Sequence, residues 1–260
     1  MRWPSRIRHE RAAVLRWPVE SLCERNAATR EEKLFNQAAV ATRYPVRAIR
    51  YWWTYCAIMD EVRRNDRPLD IVDAGCGQGI SRRFVGDIPN TRWTGLDWQV
   101  DEEAFRSRGY DQLHECDLDR QLPLDDDCTD VVIFMHVLEH LPRPAFTLQE
   151  LARILRPGGV LVAGSPTNPG IISPVRNLRY RIAQAVKTRS KGAHITALDP
   201  GKWRSLLDEA GLEVETLSGS HLLRWSGSPL ENYGWWLRAN LLWGRLFPGL
   251  GLDLYVVARK

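Results

Sequence analysis

Residues 70–79 read DIVDAGCGQG, a short apolar stretch that runs into glycines at 75, 77 and 79 and then, from Ile80, into a helical pattern. A chain that turns this tightly after a strand needs residues without a Cβ, which take left-handed backbone angles freely and let another group approach the main chain. The helix that follows starts with amides lacking intrahelical partners, facing the turn. Further apolar strands are expected at 93–97, 130–135 and 160–164, after a first at 69–73, with helix-length segments between most of them. Such alternation means right-handed βαβ crossovers and a mainly parallel sheet covered on both faces. The expected fold class is α/β: a doubly wound, Rossmann-like sheet.

The flanks extend this scheme. Apolar patches alternate with arginine at helical spacing over 46–64, predicting a helix ahead of the first strand. Near the other end, Asp199 and Pro200 supply an N-cap and a first-turn proline for a helix through Ala210, which Gly211 ends. Two last strands are expected at 212–217 and 252–258. More than thirty residues separate them, too many for a hairpin loop. We therefore read residues 1–45, with two Trp-Pro pairs and many arginines, as an arm or cap. Residues 46–260 form one domain with insertions at about 166–193 and 219–251.

Spacing narrows the ligand of the glycine turn. A dinucleotide fingerprint, GxGxxG, requires Gly or Ala at position 80; Ile80 makes this GxGxG and argues against a nicotinamide-dependent oxidoreductase. Asp97 closes the next strand about twenty residues on, where a carboxylate can accept both hydroxyls of an adenosine ribose. Asp117, in HECDLD, follows a plausible third strand, where it can accept from an adenine amino group.

Composition removes other classes. Cys23, Cys56, Cys76, Cys116 and Cys128 show no CxxC spacing, so neither a disulfide framework nor a thiolate metal site is expected, and a reducing, cytoplasmic setting is the default. No apolar run approaches the length of a signal-peptide core or a membrane span. The first 67 residues carry 14 Lys/Arg against 8 Asp/Glu, and 101–130 carry 3 against 11, so basic ends flank an acidic middle.

Taken together, DIVDAGCGQG, WTGLDW, CDLD, DVVIFMHVLEHL at 130–141 and LARILRPGGVLVAGSP at 151–166 resemble the class I S-adenosylmethionine-dependent methyltransferases. Within them the chain is similar to the type 11 group and the ubiquinone/menaquinone-biosynthesis enzymes. The resemblance covers 68–166 and, more loosely, 194–214. It implies a seven-stranded sheet with an antiparallel last strand and S-adenosyl-L-methionine as cofactor. It further implies that the turn formed by Asp73, Ala74, Gly75, Cys76, Gly77 and Gly79 holds the methionine part. Asp97 and neighbouring Trp98 would take the ribose, Asp117 with Leu118 the adenine, while Met135 and His136 lead a loop beneath the sulfonium.

Methyl transfer is an in-line displacement, and a base is needed only where the acceptor must lose a proton. His136 and His140, in HVLEH just past the fourth strand, and His194 ahead of the late helix are the candidate catalytic residues. The HxxxH spacing lacks a third ligand and an HExxH glutamate, so no metal is expected. The family members that methylate nucleobase amines carry an Asn/Asp-Pro-Pro-aromatic loop where this chain has FMHVLEH, which argues against DNA. RNA stays open on the basic charge of 176–191. A Trp- and Arg-rich amphipathic stretch at 231–248 reads as a lid, a dimer contact or a peripheral membrane contact. The favoured reaction is transfer to a hydroxyl, or second a carbon, of a small-molecule, glycan or lipid-linked acceptor. A cofactor-binding protein without turnover remains the alternative.

Overall fold

The computed structural model describes residues 17–31, 41–100, 109–167, 198–220 and 227–260, with isolated positions between them. Seven strands form one sheet: β1 (Leu69–Ala74), β2 (Thr91–Asp97), β3 (Gln112–Glu115), β4 (Thr129–Met135), β5 (Leu155–Pro166), β6 (Glu213–Ser220) and β7 (Asp253–Arg259). Their order is β3-β2-β1-β4-β5-β7-β6. β1 pairs in parallel with β2 and β4, and β4 with β5, whereas β7 runs antiparallel to both β5 and β6. The expected α/β doubly wound sheet with a reversed last strand is present.

Among the described residues the α-helices are α1 (Glu20–Glu31), α2 (Ile49–Arg64), α3 (Ile80–Val85), α4 (Pro144–Ile154), α5 (Pro200–Glu209) and α6 (Gly234–Leu246). Successive residues of a strand face opposite sides, and here both sides are buried. Leu69 and Ile71 of β1 and Val131 and Ile133 of β4 enter one core with α2, whereas Val72, Ala74, Val132 and Phe134 enter the other with α4 and α5. That two-sided burial is why these strands read as continuous apolar runs. Asp199 caps α5 as expected, accepting from the Gly201 and Lys202 amides at 2.9 and 3.0 Å.

Residues 17–31 and 41–48 pack into the first core. Trp17 meets Trp52 and Trp53 of α2 edge to face, at 5.7 and 4.9 Å between centroids, and its indole N–H donates to Asp60. The 231–248 stretch is also tied down. Leu237 and Leu241 of α6 lie in the same core, and Glu231, fully buried, accepts from the Thr42 hydroxyl at 2.6 Å and from the Val46 amide. α6 thus packs as a layer against the edge strand β6. Most of the expected insertion at 166–193, and residues 221–226, lie outside the described residues. Among the described residues no helix is long and apolar enough to cross a membrane.

Candidate active site

The glycine turn joins β1 to α3 at the carboxyl edge of the sheet, where open α/β sheets hold ligands. Gly75, Gly77 and Gly79 all take positive φ, at 76°, 52° and 68°. The two inner positions differ in surroundings. A Cβ on Gly75 would stand 2.4 Å from Val137 Cγ2, whereas one on Gly77 would meet nothing within 4 Å. Gly75 is glycine because the loop after β4 presses on it, and Gly77 lines open space. The Gly75 and Cys76 amides donate to the Leu96 carbonyl at 2.7 and 3.1 Å, locking the turn to the end of β2.

Asp97, at that end, is 7% exposed. One of its carboxylate oxygens accepts from the Gly77 amide at 2.7 Å and the other from the Trp98 amide at 2.8 Å. Asp73, on β1, is 3% exposed and accepts from the Tyr110 hydroxyl at 2.7 Å. Tyr110 is in turn anchored through its neighbour, because the Gly109 carbonyl accepts from Arg82 of α3 at 2.8 Å and Arg82 lies over the Trp93 ring. Burial pushes the Asp73 carboxyl up to about 7; the Tyr110 hydroxyl works against that rise and the nearby Asp97 charge adds to it. Two buried carboxylates of like charge on neighbouring strands form a site for a cation. The amino and sulfonium groups of S-adenosylmethionine meet that requirement, and the space over Gly77 admits a ligand against the backbone.

The remaining sequence-derived positions separate. Ala74 and Cys76 are buried within the turn, and burial pushes the Cys76 thiol up, which makes it a packing group and not a nucleophile. Trp98 is 58% exposed. Asp117, beyond β3, is half exposed and pairs with Arg120 at 3.4 Å. The Leu118 side chain packs in the second core beside Leu122 and Leu148, so only its backbone is offered to a ligand. Met135 ends β4 and packs against the first core.

His136 follows Met135 with φ at +58°, a left-handed conformation that costs a non-glycine residue of order 1–3 kcal/mol. Its amide donates to the Gly164 carbonyl at 2.7 Å, completing the ladder between β4 and β5 before the loop departs. Its ring stands between two carboxylates: Nδ1 is 3.5 Å from Glu139 Oε1, and Nε2 is 3.9 Å from Asp253 Oδ1 on β7. His140 Nε2 lies 3.8 Å from the same Glu139 oxygen. The Glu139 carbonyl accepts from the Ile195 and Thr196 amides; His194 lies outside the described residues. Reading the sequence missed Tyr110, Val137 and Asp253 and gave Glu139 no role. Val137 and Glu139, both inside HVLEH, stand next to residues already singled out. Among the described residues no cluster of three or more His, Cys, Asp or Glu is arranged to hold a metal.

A reversed seventh strand, a left-handed glycine turn and a carboxylate closing β2 define the class I methyltransferase fold. In sequence, residues 72–163 match the type 11 methyltransferase domain, and the cofactor this likeness implies is S-adenosyl-L-methionine. The chain is 33% identical over 152 residues, 58% of its own length and 54% of the relative's, to the "Probable S-adenosylmethionine-dependent methyltransferase" of Mycolicibacterium smegmatis. It is 28% identical to the 27-O-demethylrifamycin SV methyltransferase of Amycolatopsis mediterranei over 169 residues, 60% of this chain and 57% of that one. It thus spans about half the length of the curated relatives it matches. A solved S-adenosylmethionine dependent methyltransferase from Mesorhizobium loti shares the fold, with a TM-score of 0.54 at 19% identity over 81% of this chain and 98% of that one.

Proposed function

We propose that this protein transfers the methyl group of S-adenosylmethionine to a hydroxyl of a small-molecule, glycan or lipid-linked acceptor. The observation that carries the cofactor half is the buried Asp73–Asp97 pair beside the open face of Gly77. The bound cofactor supplies an electrophilic methyl on a positively charged sulfur. The chain supplies placement: Asp97 holds the turn through Gly77, Asp73 answers a cationic group, and the loop from His136 to His140 closes the acceptor side. Support for oxygen as the acceptor atom comes from imidazoles beside that loop and from the name of the Amycolatopsis relative.

Calorimetric titration with S-adenosylhomocysteine, with NADH as the control, tests the cofactor half; binding of NADH alone would sink it. In the same titration Asp97→Ala is expected to lose about 1.5–3 kcal/mol of affinity, the worth of hydrogen bonds to a charged group. Unchanged affinity would remove Asp97 from the site.

Asp73 adds a proton-linked test. Its folded-state value of about 7 lies above the 3.8 of an ordinary aspartate, so the folded chain retains a proton that the unfolded chain has released. Stability from this group is present at low pH and is lost as pH rises from about 4 towards 7. A cation beside Asp73 favours the charged form, so below neutral pH binding expels that proton and affinity falls as pH drops. Titration just below neutral pH in two buffers of different ionisation enthalpy should give different apparent heats. Equal heats would mean that Asp73 does not release a proton on binding.

For the lipid-linked option the supporting observation is the outer face of α6. Trp235, Leu242, Leu246 and Phe247 are 59%, 45%, 60% and 44% exposed, with Arg238 also exposed, a combination suited to an anionic membrane surface. Since the inner face belongs to the core, point changes are the proper probe and deletion is not. The double variant Trp235→Glu/Leu246→Glu should lose flotation with anionic vesicles while keeping its unfolding midpoint. Flotation that persists would place the contact elsewhere.

A further inference from the structure

His136 and Glu139 stand beside Asp253 with side-chain hydrogen-bonding capacity unused. Glu139 is 2% exposed, and neither of its carboxylate oxygens has a hydrogen-bond partner; the buried His136 Nε2 has none either. A buried polar group left unpaired is costly, more so when it is charged, and such groups persist where a ligand completes them. The arrangement is not an accident of one loop, since β7 brings Asp253 from more than a hundred residues away. His136 is held there in a strained backbone conformation.

The distances rank the partners. Nδ1 faces Glu139 at 3.5 Å, and Nε2 faces Asp253 at 3.9 Å. Asp253 already receives the Tyr255 hydroxyl at 3.5 Å, while Glu139 has His140 Nε2 at 3.8 Å as its other neighbour. Glu139 is thus the closer carboxylate and the one without a hydrogen-bonded donor. A proton on Nδ1 leaves Nε2 and the Asp253 carboxylate as two acceptors side by side with no hydrogen between them.

We propose that Glu139 is a positioning residue that holds His136 as its neutral Nδ1–H tautomer, and that His136 Nε2 together with Asp253 receives the hydroxyl of the methyl acceptor. This rests on the methyl-transfer reading above and assigns within it the residues that meet the acceptor. In the step, the acceptor oxygen forms a bond to the methyl carbon as the carbon–sulfur bond breaks with its electron pair going to sulfur. The hydroxyl proton passes to His136 Nε2. The resulting imidazolium faces the Glu139 carboxylate and returns its proton to solvent after release.

Nitrogen NMR of the ligand-free full chain, labelled with 15N-histidine, reads the tautomer directly. His136→Gln assigns its signals among the six histidines. At a pH where the ring is neutral, the wild type should show Nδ1–H and Glu139→Ala the Nε2–H form that water favours. Glu139→Gln, whose amide oxygen can still accept, should restore Nδ1–H. An Nε2–H signal in the wild type, or a tautomer indifferent to Glu139→Ala, overturns the proposal. Should Glu139→Ala fail to fold, the wild-type tautomer and Glu139→Gln decide it. None of these readings needs cofactor or acceptor, so their failure is distinct from a failure to bind S-adenosylhomocysteine.

Discussion

Gly244→Ala should lower the unfolding free energy by about 3–5 kcal/mol, among the largest effects a single methyl group can have. Gly244 lies in the third turn of α6, and a Cβ there would stand 1.7 Å from the Gly219 carbonyl oxygen and 2.3 Å from its carbon. Both are backbone atoms of the paired strand β6, so neither rotates away. α6 must lift off the strand, and lifting withdraws Leu237 and Leu241, now 2% and 1% exposed, from the core they share with Trp52 and Trp53. Each such side chain is worth about 1.5–3 kcal/mol when fully exposed, and a partial lift forfeits part of that. Urea unfolding followed by tryptophan fluorescence measures the loss. Gly249→Ala is the control, because its Cβ would meet only Pro200 at an ordinary 3.6 Å. Equal stability of Gly244→Ala and the wild type would mean that α6 does not sit on β6 as described.

That helix shows where a sequence stops being legible. Its Trp, Leu and Arg pattern gives an amphipathic helix but not its partner, and a packed face and a membrane face have the same composition. The readable clue was Gly244 itself, a poor helix former among bulky residues, which marks a close backbone approach. The central strands were legible because both faces are buried: Val131, Val132, Ile133 and Phe134 leave no polar alternation to misread. β3, QLHE, is a four-residue edge strand with no fully buried residue, and only the aspartate beyond it gave it away.

The candidate site divides in the same manner. Asp73, the glycines and Asp97 stand at fixed spacing within one βαβ unit, so local sequence carries them. Tyr110 reaches Asp73 from 37 positions away, and Asp253 reaches His136 across an antiparallel strand whose pairing no local pattern announces. Glu139 sat inside the motif, yet its burial, which is what makes it interesting, comes from the loop fold and not from its neighbours in sequence. Trp98 and Leu118 show the converse: the neighbouring aspartate does not fix where a side chain goes, and theirs turn to solvent and to the core.

The second large effect separates the two inner glycines. Gly75→Ala should lose both stability and S-adenosylhomocysteine affinity, while Gly77→Ala should lose less stability, its φ penalty alone, and still lose affinity. At position 75 an alanine meets two penalties: a left-handed φ of 76°, worth about 1–2 kcal/mol, and a 2.4 Å contact with Val137 Cγ2. Relief of that contact pushes the loop that begins at His136, so the acceptor side is disturbed along with the turn. At 77 only the φ penalty applies, because the added methyl enters open space. That space is where the ligand must lie, so the methyl displaces it and affinity should fall by roughly tenfold or more, the equivalent of about 1.4 kcal/mol. Val137→Ala provides the check on mechanism. Combined with Gly75→Ala it removes both Cγ atoms and should recover the steric part of the stability loss but not the φ part, giving a coupling energy of about 1–2 kcal/mol in a double-mutant cycle. Additive losses would show that Gly75 is required for its backbone angle alone, and full affinity in Gly77→Ala would show that the cofactor does not approach this turn.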